Sequence, residues 1–172
     1  DSDLKNIPVC VNMKARELPD DDSQRSDVDI IVALDVSGSM SGQKLNLCKN
    51  TLLLLLRVLY PEDRFGLICY AENAVIEIPV QSMNEANKKQ CVEKIQGLRT
   101  RGCTNMSAAV GLVREEMRQI QTPNDVQTVF FLTDGHANAG IKGDGLVEFT
   151  KNCFVHDSLS LEGTEGAEDA VA

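Results

Sequence analysis

Two stretches of the chain are almost continuously apolar: Val28-Asp29-Ile30-Ile31-Val32-Ala33-Leu34 and Val126-Gln127-Thr128-Val129-Phe130-Phe131-Leu132. One-sided strands alternate apolar with polar residues, so runs of this kind predict strands covered on both faces. Between them the period changes. Leu45, Cys48, Leu52, Leu55, Leu56 and Leu59 recur at helical spacing, which predicts a helix over residues 43–60 that Pro61 closes. Residues 65–70 and 75–78 read as two strands around Ala71-Glu72-Asn73-Ala74. Asn73 tolerates the left-handed conformation of a tight turn, so this pair is expected to be an antiparallel hairpin. Asn84 can cap a second helix carrying Val92, Ile95 and Leu98. A polar loop over 100–105 leads to a third helix with Val110, Val113, Met117 and Ile120 on one side. A weaker helix over 145–154 follows Gly143 and Gly145, and residues 7–13 read as a short strand before a polar, acidic connection.

Strands alternating with helices predict an α/β domain: a mostly parallel central sheet with one antiparallel hairpin strand and helices on both faces. The two most hydrophobic strands are expected at its centre. Each runs directly toward an aspartate, Asp35 and Asp134. Open α/β sheets bind ligands just beyond the carboxyl ends of their strands, where the strand order reverses. Three segments are expected: an amino-terminal strand and acidic linker over 1–26, the domain over 27–156, and an acidic disordered tail over 157–172.

Composition narrows the function. The 172 residues include 26 acidic and 17 basic side chains, a net charge of −9, which argues against unaided nucleic-acid binding. Five of those acids lie beyond His156, where no Lys or Arg occurs, so the body of the chain is only mildly acidic. The leucine-rich run at 52–59 is interrupted by Arg57 and is far shorter than the roughly 20 residues that cross a bilayer, so it reads as core. Beginning at Asp1 without a signal segment, the sequence reads as a fragment or processed form, and the compartment stays open. Six cysteines are spread singly, which disfavours a zinc site and leaves disulfides permitted; Cys48, Cys69 and Cys153 read as small core residues.

Candidate chemistry gathers around Asp35-Val36-Ser37-Gly38-Ser39. It places three oxygen-bearing side chains at alternate positions after a strand, with Gly38 allowing a tight turn. Taken alone this is also what a helix-capping loop looks like. Taken with Gly102-Cys103-Thr104-Asn105 and Thr133-Asp134-Gly135, in this order and context, it resembles the von Willebrand factor type A domain over about residues 27–154. That resemblance implies a Rossmann-like fold and a metal-ion-dependent adhesion site. Ser37, Ser39 and Thr104 would ligate through their hydroxyls, with Asp35 and Asp134 acting mainly through water. Hydroxyls, carboxylates and water suit Mg²⁺, with Mn²⁺ able to substitute. Three neutral hydroxyls leave such an ion electron-poor, so the implied partner is a protein supplying Asp or Glu, and the implied role is adhesion rather than catalysis.

The pattern departs from the family at two points. The family carries two further strands and helices after the segment matching 126–154, so the sheet is expected to be incomplete, with a hydrophobic edge at Phe130 and Phe131. Cys103 stands where the family often has glycine. A structural or assembly domain that pairs through that edge is the competing function. A metal-dependent phosphatase-like enzyme ranks third: the position two after Asp35 is Ser37 rather than a second Asp, and neither serine lies in a Gly-x-Ser-x-Gly elbow. His136 reads as a solvated loop residue, and no phosphate-binding Walker loop occurs.

Overall fold

The computed structural model describes residues 25–135 and 137–161, with side chains to residue 154. The strand expected over 7–13, most of the acidic linker, residues 162–172 of the tail and His136 therefore lie outside the described residues. Four strands form one sheet in the order β3-β2-β1-β4, where β1 is Val28–Asp35, β2 Arg64–Tyr70, β3 Ala74–Ser82 and β4 Val126–Leu132. β1 pairs in parallel with both β2 and β4, while β2 and β3 form the antiparallel hairpin. The chain thus leaves β1 toward one side of the sheet and returns on the other through β4, which puts the reversal of strand order at the end of β1.

Side-chain parity along β1 divides the interior in two. Ile30, Val32 and Leu34 pack with α1 (Gln43–Val58) through Leu45, Leu52 and Leu56, and with α2 (Glu85–Gly97) through Cys91 and Ile95. Ile31 and Ala33 face the other way, against Ala109 and Val113 of α3 (Met106–Arg118), with Phe154 of α4 (Gly143–Leu161) at the margin. Helices on both faces are what a strand apolar at every position requires. The caps also follow the sequence: Asn84 Oδ1 accepts from Asn87 N at 2.9 Å to start α2.

Several expectations need correction. Apolarity alone misplaces β4 in the centre: among the described residues it lies at the sheet edge with Phe130 48% exposed, in line with the hydrophobic edge expected at Phe130 and Phe131. The hairpin turn does not use a left-handed Asn73; no described non-glycine residue has a positive φ, and Ala71 N instead donates to Asn73 O at 3.0 Å. β3 continues past Pro79 to Ser82 because it is an edge strand, where a missing N–H can face away from the ladder. The register shifts around Gly66, whose missing Cβ would stand 2.8 Å from Val80 Cγ2. α4 runs to Leu161, past the boundary expected at residue 156.

At the amino-terminal ends of the strands, two buried aspartates are paired with arginines. Asp63 accepts from Arg25 Nη1 and Nη2 at 2.9 and 2.7 Å, from Val28 N at 3.0 Å and from Tyr60 N at 2.7 Å. Asp29 Oδ2 accepts from Asn124 N at 2.9 Å, and its other oxygen lies 3.5 Å from Arg64 Nε. Each carboxylate ties β1 to a neighbouring connection.

Candidate metal centre

Asp35 ends β1 at the opposite, carboxyl end of the sheet and is fully buried. Its Oδ1 accepts from Ser37 N at 2.8 Å and its Oδ2 from Thr133 Oγ1 at 3.0 Å. The first contact is local: the chain turns tightly after the strand, and the carboxylate reaches back to the amide two residues on. The second crosses to the residue after β4. Beyond Asp35 a single 3-10 turn, Gly38–Met40, leads into α1.

Three more of the sequence-predicted groups line up from there. Ser37 Oγ and Ser39 Oγ are 3.1 Å apart, and Ser39 Oγ donates to Asp134 Oδ1 at 3.0 Å. The other oxygen of Asp134 is held by Lys44 Nζ on the first turn of α1. The Lys44 hydrogen bond, with help from Ser39, keeps the Asp134 carboxyl below its ordinary range.

Thr104 reaches the same place by a stitched loop. Arg101 N donates to Val36 O at 2.6 Å and Gly38 N donates to Gly102 O at 3.1 Å, so the loop before Thr104 lies against the Asp35–Ser39 turn. Gly102 has φ +61°, a conformation that favours glycine. Asn138 holds Thr104 from the far side: its Oδ1 accepts from Thr104 N at 2.8 Å, and its own N donates to Thr104 O at 3.0 Å. Asn105 then caps α3, accepting from Ala108 N at 3.3 Å. Thr104 is almost fully buried, and the neighbouring Cys103 is exposed.

Four further residues bear on the site in ways the sequence does not show. Thr133 stands in the Thr133-Asp134-Gly135 motif but its contact is with Asp35, 98 positions away, while Lys44 meets Asp134 across 90 positions and Asn138 meets Thr104 across 34. The fourth is Tyr70, the register partner of Asp35 on β2. Burial pushes the Tyr70 phenol up to about 12; the Thr133 hydroxyl opposes that rise, and the Asp35 and Asp134 carboxylates add to it.

The donor set can be tested against a metal ion. Among the described residues no group of three His, Cys, Asp or Glu side chains converges, so a soft or nitrogen-seeking ion has no home. Two carboxylates and the Ser37 and Ser39 hydroxyls do converge, with Thr104 on the adjoining loop, and this set fits a small hard cation that keeps water ligands. Charge supports the fit. Three aspartates on or beside the sheet are buried: Asp29 is paired with Arg64 and Asp63 with Arg25, but among the described residues Asp35 has only neutral donors. A buried carboxylate facing only an amide and a hydroxyl is costly unless a cation stands near it.

Residues 30–136 match the model of the von Willebrand factor type A domain. The E3 ubiquitin-protein ligase WAV3 of Arabidopsis thaliana is 29% identical over 116 residues, covering 67% of this chain and 16% of its own length. Inter alpha-trypsin inhibitor, heavy chain 4, of Mus musculus is 31% identical over 139 residues, covering 77% of this chain and 15% of its own. This chain therefore spans about a sixth of the length of these relatives. A solved structure, von Willebrand factor type A from Catenulispora acidiphila, superposes with a TM-score of 0.65 at 18% identity, over 72% of this chain and 30% of that one. Motif order, sheet topology and the match across residues 30–136 agree, and the chain belongs to the von Willebrand factor type A domain family.

Proposed function

We propose that the chain is a protein-interaction module that holds Mg²⁺, or Mn²⁺ in its place, at Asp35, Ser37, Ser39, Thr104 and Asp134, and recognises an Asp or Glu side chain of a protein partner. The observation that carries this reading is the buried Asp35 carboxylate, which lacks the arginine its two buried counterparts have. An ion held there would supply a positive centre able to attract a partner's carboxylate. Asp35 orients the serine loop through Ser37 N, and Ser39 and Asp134 set the outer wall. The reading is non-catalytic. Relatives as different as a ubiquitin ligase and an inhibitor heavy chain share the domain, and a recruiting module would serve either.

Thermal unfolding tests it. Mg²⁺ at 100 times its dissociation constant adds about 2.7 kcal/mol to the native state, or about 5–10 °C for a chain of this size. Wild type should show that rise over a chelator control. Ser39→Ala, which removes one exposed hydroxyl, should melt near wild type in chelator and show no rise. Equal rises in both proteins, or none in wild type, would sink the site. The exposed Phe130 on the β4 edge favours a second reading, assembly through that edge. Self-association that persists in chelator would support it.

Lys44 competes with the cation for Asp134. It is more than half exposed, so solvent screens the pair and the competition is modest. Lys44→Met should therefore tighten Mg²⁺ binding by up to about fivefold, read by titration calorimetry. The Asp134 carboxyl should also titrate closer to its ordinary range.

A further inference from the structure

Tyr70, Asp35 and Thr133 form a row across three neighbouring strands. Tyr70 is the register partner of Asp35, and Thr133 follows Leu132, the partner of Leu34. All three point to the α3 side of the sheet, where Tyr70 packs with Ile31, Ala33 and Ile68. Tyr70 is fully buried, and its hydroxyl has no hydrogen-bond partner of proper geometry among the described residues. Phenylalanine would keep the packing and avoid the unpaired hydroxyl, which costs about 1–3 kcal/mol. A buried polar group of this kind calls for a partner, and among the described residues none supplies it.

The described neighbours narrow the choice of that partner. Thr133 has given its proton to Asp35 Oδ2, and Asp35 Oδ1 is taken by Ser37 N. Thr133 Oγ1 can still accept a proton, which leaves the oxygen of Tyr70 free to accept one. A water bound to a cation has its lone pair on the metal and both protons to give. We infer that Tyr70 is a positioning residue of the cation site proposed above, its oxygen accepting a hydrogen bond from a metal-bound water. Thr133, bonded to Asp35 Oδ2, lies in the same row, so such a water would stand beside the Asp35–Thr133 pair. The inference rests on the metal reading and adds a residue outside the five ligands.

The sign of the stability change separates this role from a structural one. In chelator, Tyr70→Phe should unfold at the wild-type temperature or above it, because an unpaired buried hydroxyl is gone. Its Mg²⁺ affinity should fall by about tenfold or more, as is usual when an outer-sphere partner of a metal site is removed. A spectroscopic test is available because the chain has two tyrosines and no tryptophan. Terbium(III), a hard cation with the same taste for oxygen, luminesces when excited through a nearby tyrosine. The signal should survive Tyr60→Phe, vanish in Tyr70→Phe and be competed away by Mg²⁺. Tyr70→Phe with wild-type Mg²⁺ affinity, or with lowered stability in chelator, would overturn the role of Tyr70 while leaving the metal site standing. A wild-type chain indifferent to Mg²⁺ and dark with terbium would remove both.

Discussion

Replacing Asp63 with alanine should destabilise the domain by about 3 kcal/mol, the lower end of what breaking a buried ion pair costs. The lower end applies because Arg25 keeps 32% of its side chain in solvent while Asp63 has none. The loss is not one contact. Arg25 would lose both of its hydrogen bonds, and the amides of Val28 and Tyr60 would lose their acceptor, at the point where β1 begins and α1 ends. Arg25 also lies over the Tyr60 ring at 4.7 Å, so its release would loosen that contact too. For a chain of this length the melting temperature should fall by about 6–12 °C. Against a typical net stability of about 5–15 kcal/mol, that is a large share for a residue outside the apolar core.

The same residue sets an acid limit. Burial, the strongest single influence, pushes the Asp63 carboxyl up, but Arg25 and the amides of Tyr60 and Val28 together outweigh it and hold the group below its ordinary range. A carboxyl whose pKa is lower folded than unfolded binds fewer protons in the native state. Its stabilisation is therefore complete above the unfolded value, about 3.9, and is lost as the pH falls through the folded value. Melting temperatures taken in chelator from pH 6 to pH 2 should converge for wild type and Asp63→Ala below about pH 4. A gap that stays constant over that range would mean that Asp63 does not carry the acid sensitivity.

Asp63 and Asp35 mark what was legible in the sequence and what was not. Both are buried aspartates at the ends of strand regions, yet only Asp35 announced itself, through the serines that follow at alternate positions. Asp63 sits in Pro61-Glu62-Asp63-Arg64, which reads as a charged turn, and its partner Arg25 is 38 residues away in a segment with no periodicity. Local pattern found β1, α1, the hairpin and the capped α2 because each is specified by its own spacing. It does not place β4, because a mostly apolar run says that both faces meet apolar atoms and nothing about which strands stand beside it; the edge at Phe130 and Phe131 is legible only from the family resemblance. Four of the five predicted residues are joined by hydrogen bonds, and the fifth, Thr104, is brought alongside by backbone bonds of its loop to Val36 and Gly38. The contacts that Lys44, Thr133, Asn138 and Tyr70 make with the predicted residues depend on register and crossover, which no short motif encodes.

Asp35→Asn should raise stability in chelator and abolish the response to Mg²⁺. An asparagine keeps the shape of the carboxylate, and its carbonyl can accept from Ser37 N. Its amide can donate to Thr133 Oγ1 once that hydroxyl has turned, so no buried group is stranded. What disappears is a buried charge without a cationic side chain among the described residues, and the gain should be at least about 1 kcal/mol. Asp35→Ala should go the other way in chelator. It strands the Ser37 amide and the Thr133 hydroxyl, at a cost of about 1–3 kcal/mol, so the fold is less indifferent to this change than the loop position suggests. Both variants should lose the whole metal-dependent increment, about 2.7 kcal/mol under saturating Mg²⁺. The three melting curves should therefore rank Asn above wild type above Ala in chelator, with wild type highest once Mg²⁺ is added. If Asp35→Asn instead melts below wild type without metal, the carboxylate is a structural acceptor comparable to Asp63, and the main support for a cation at this site is gone.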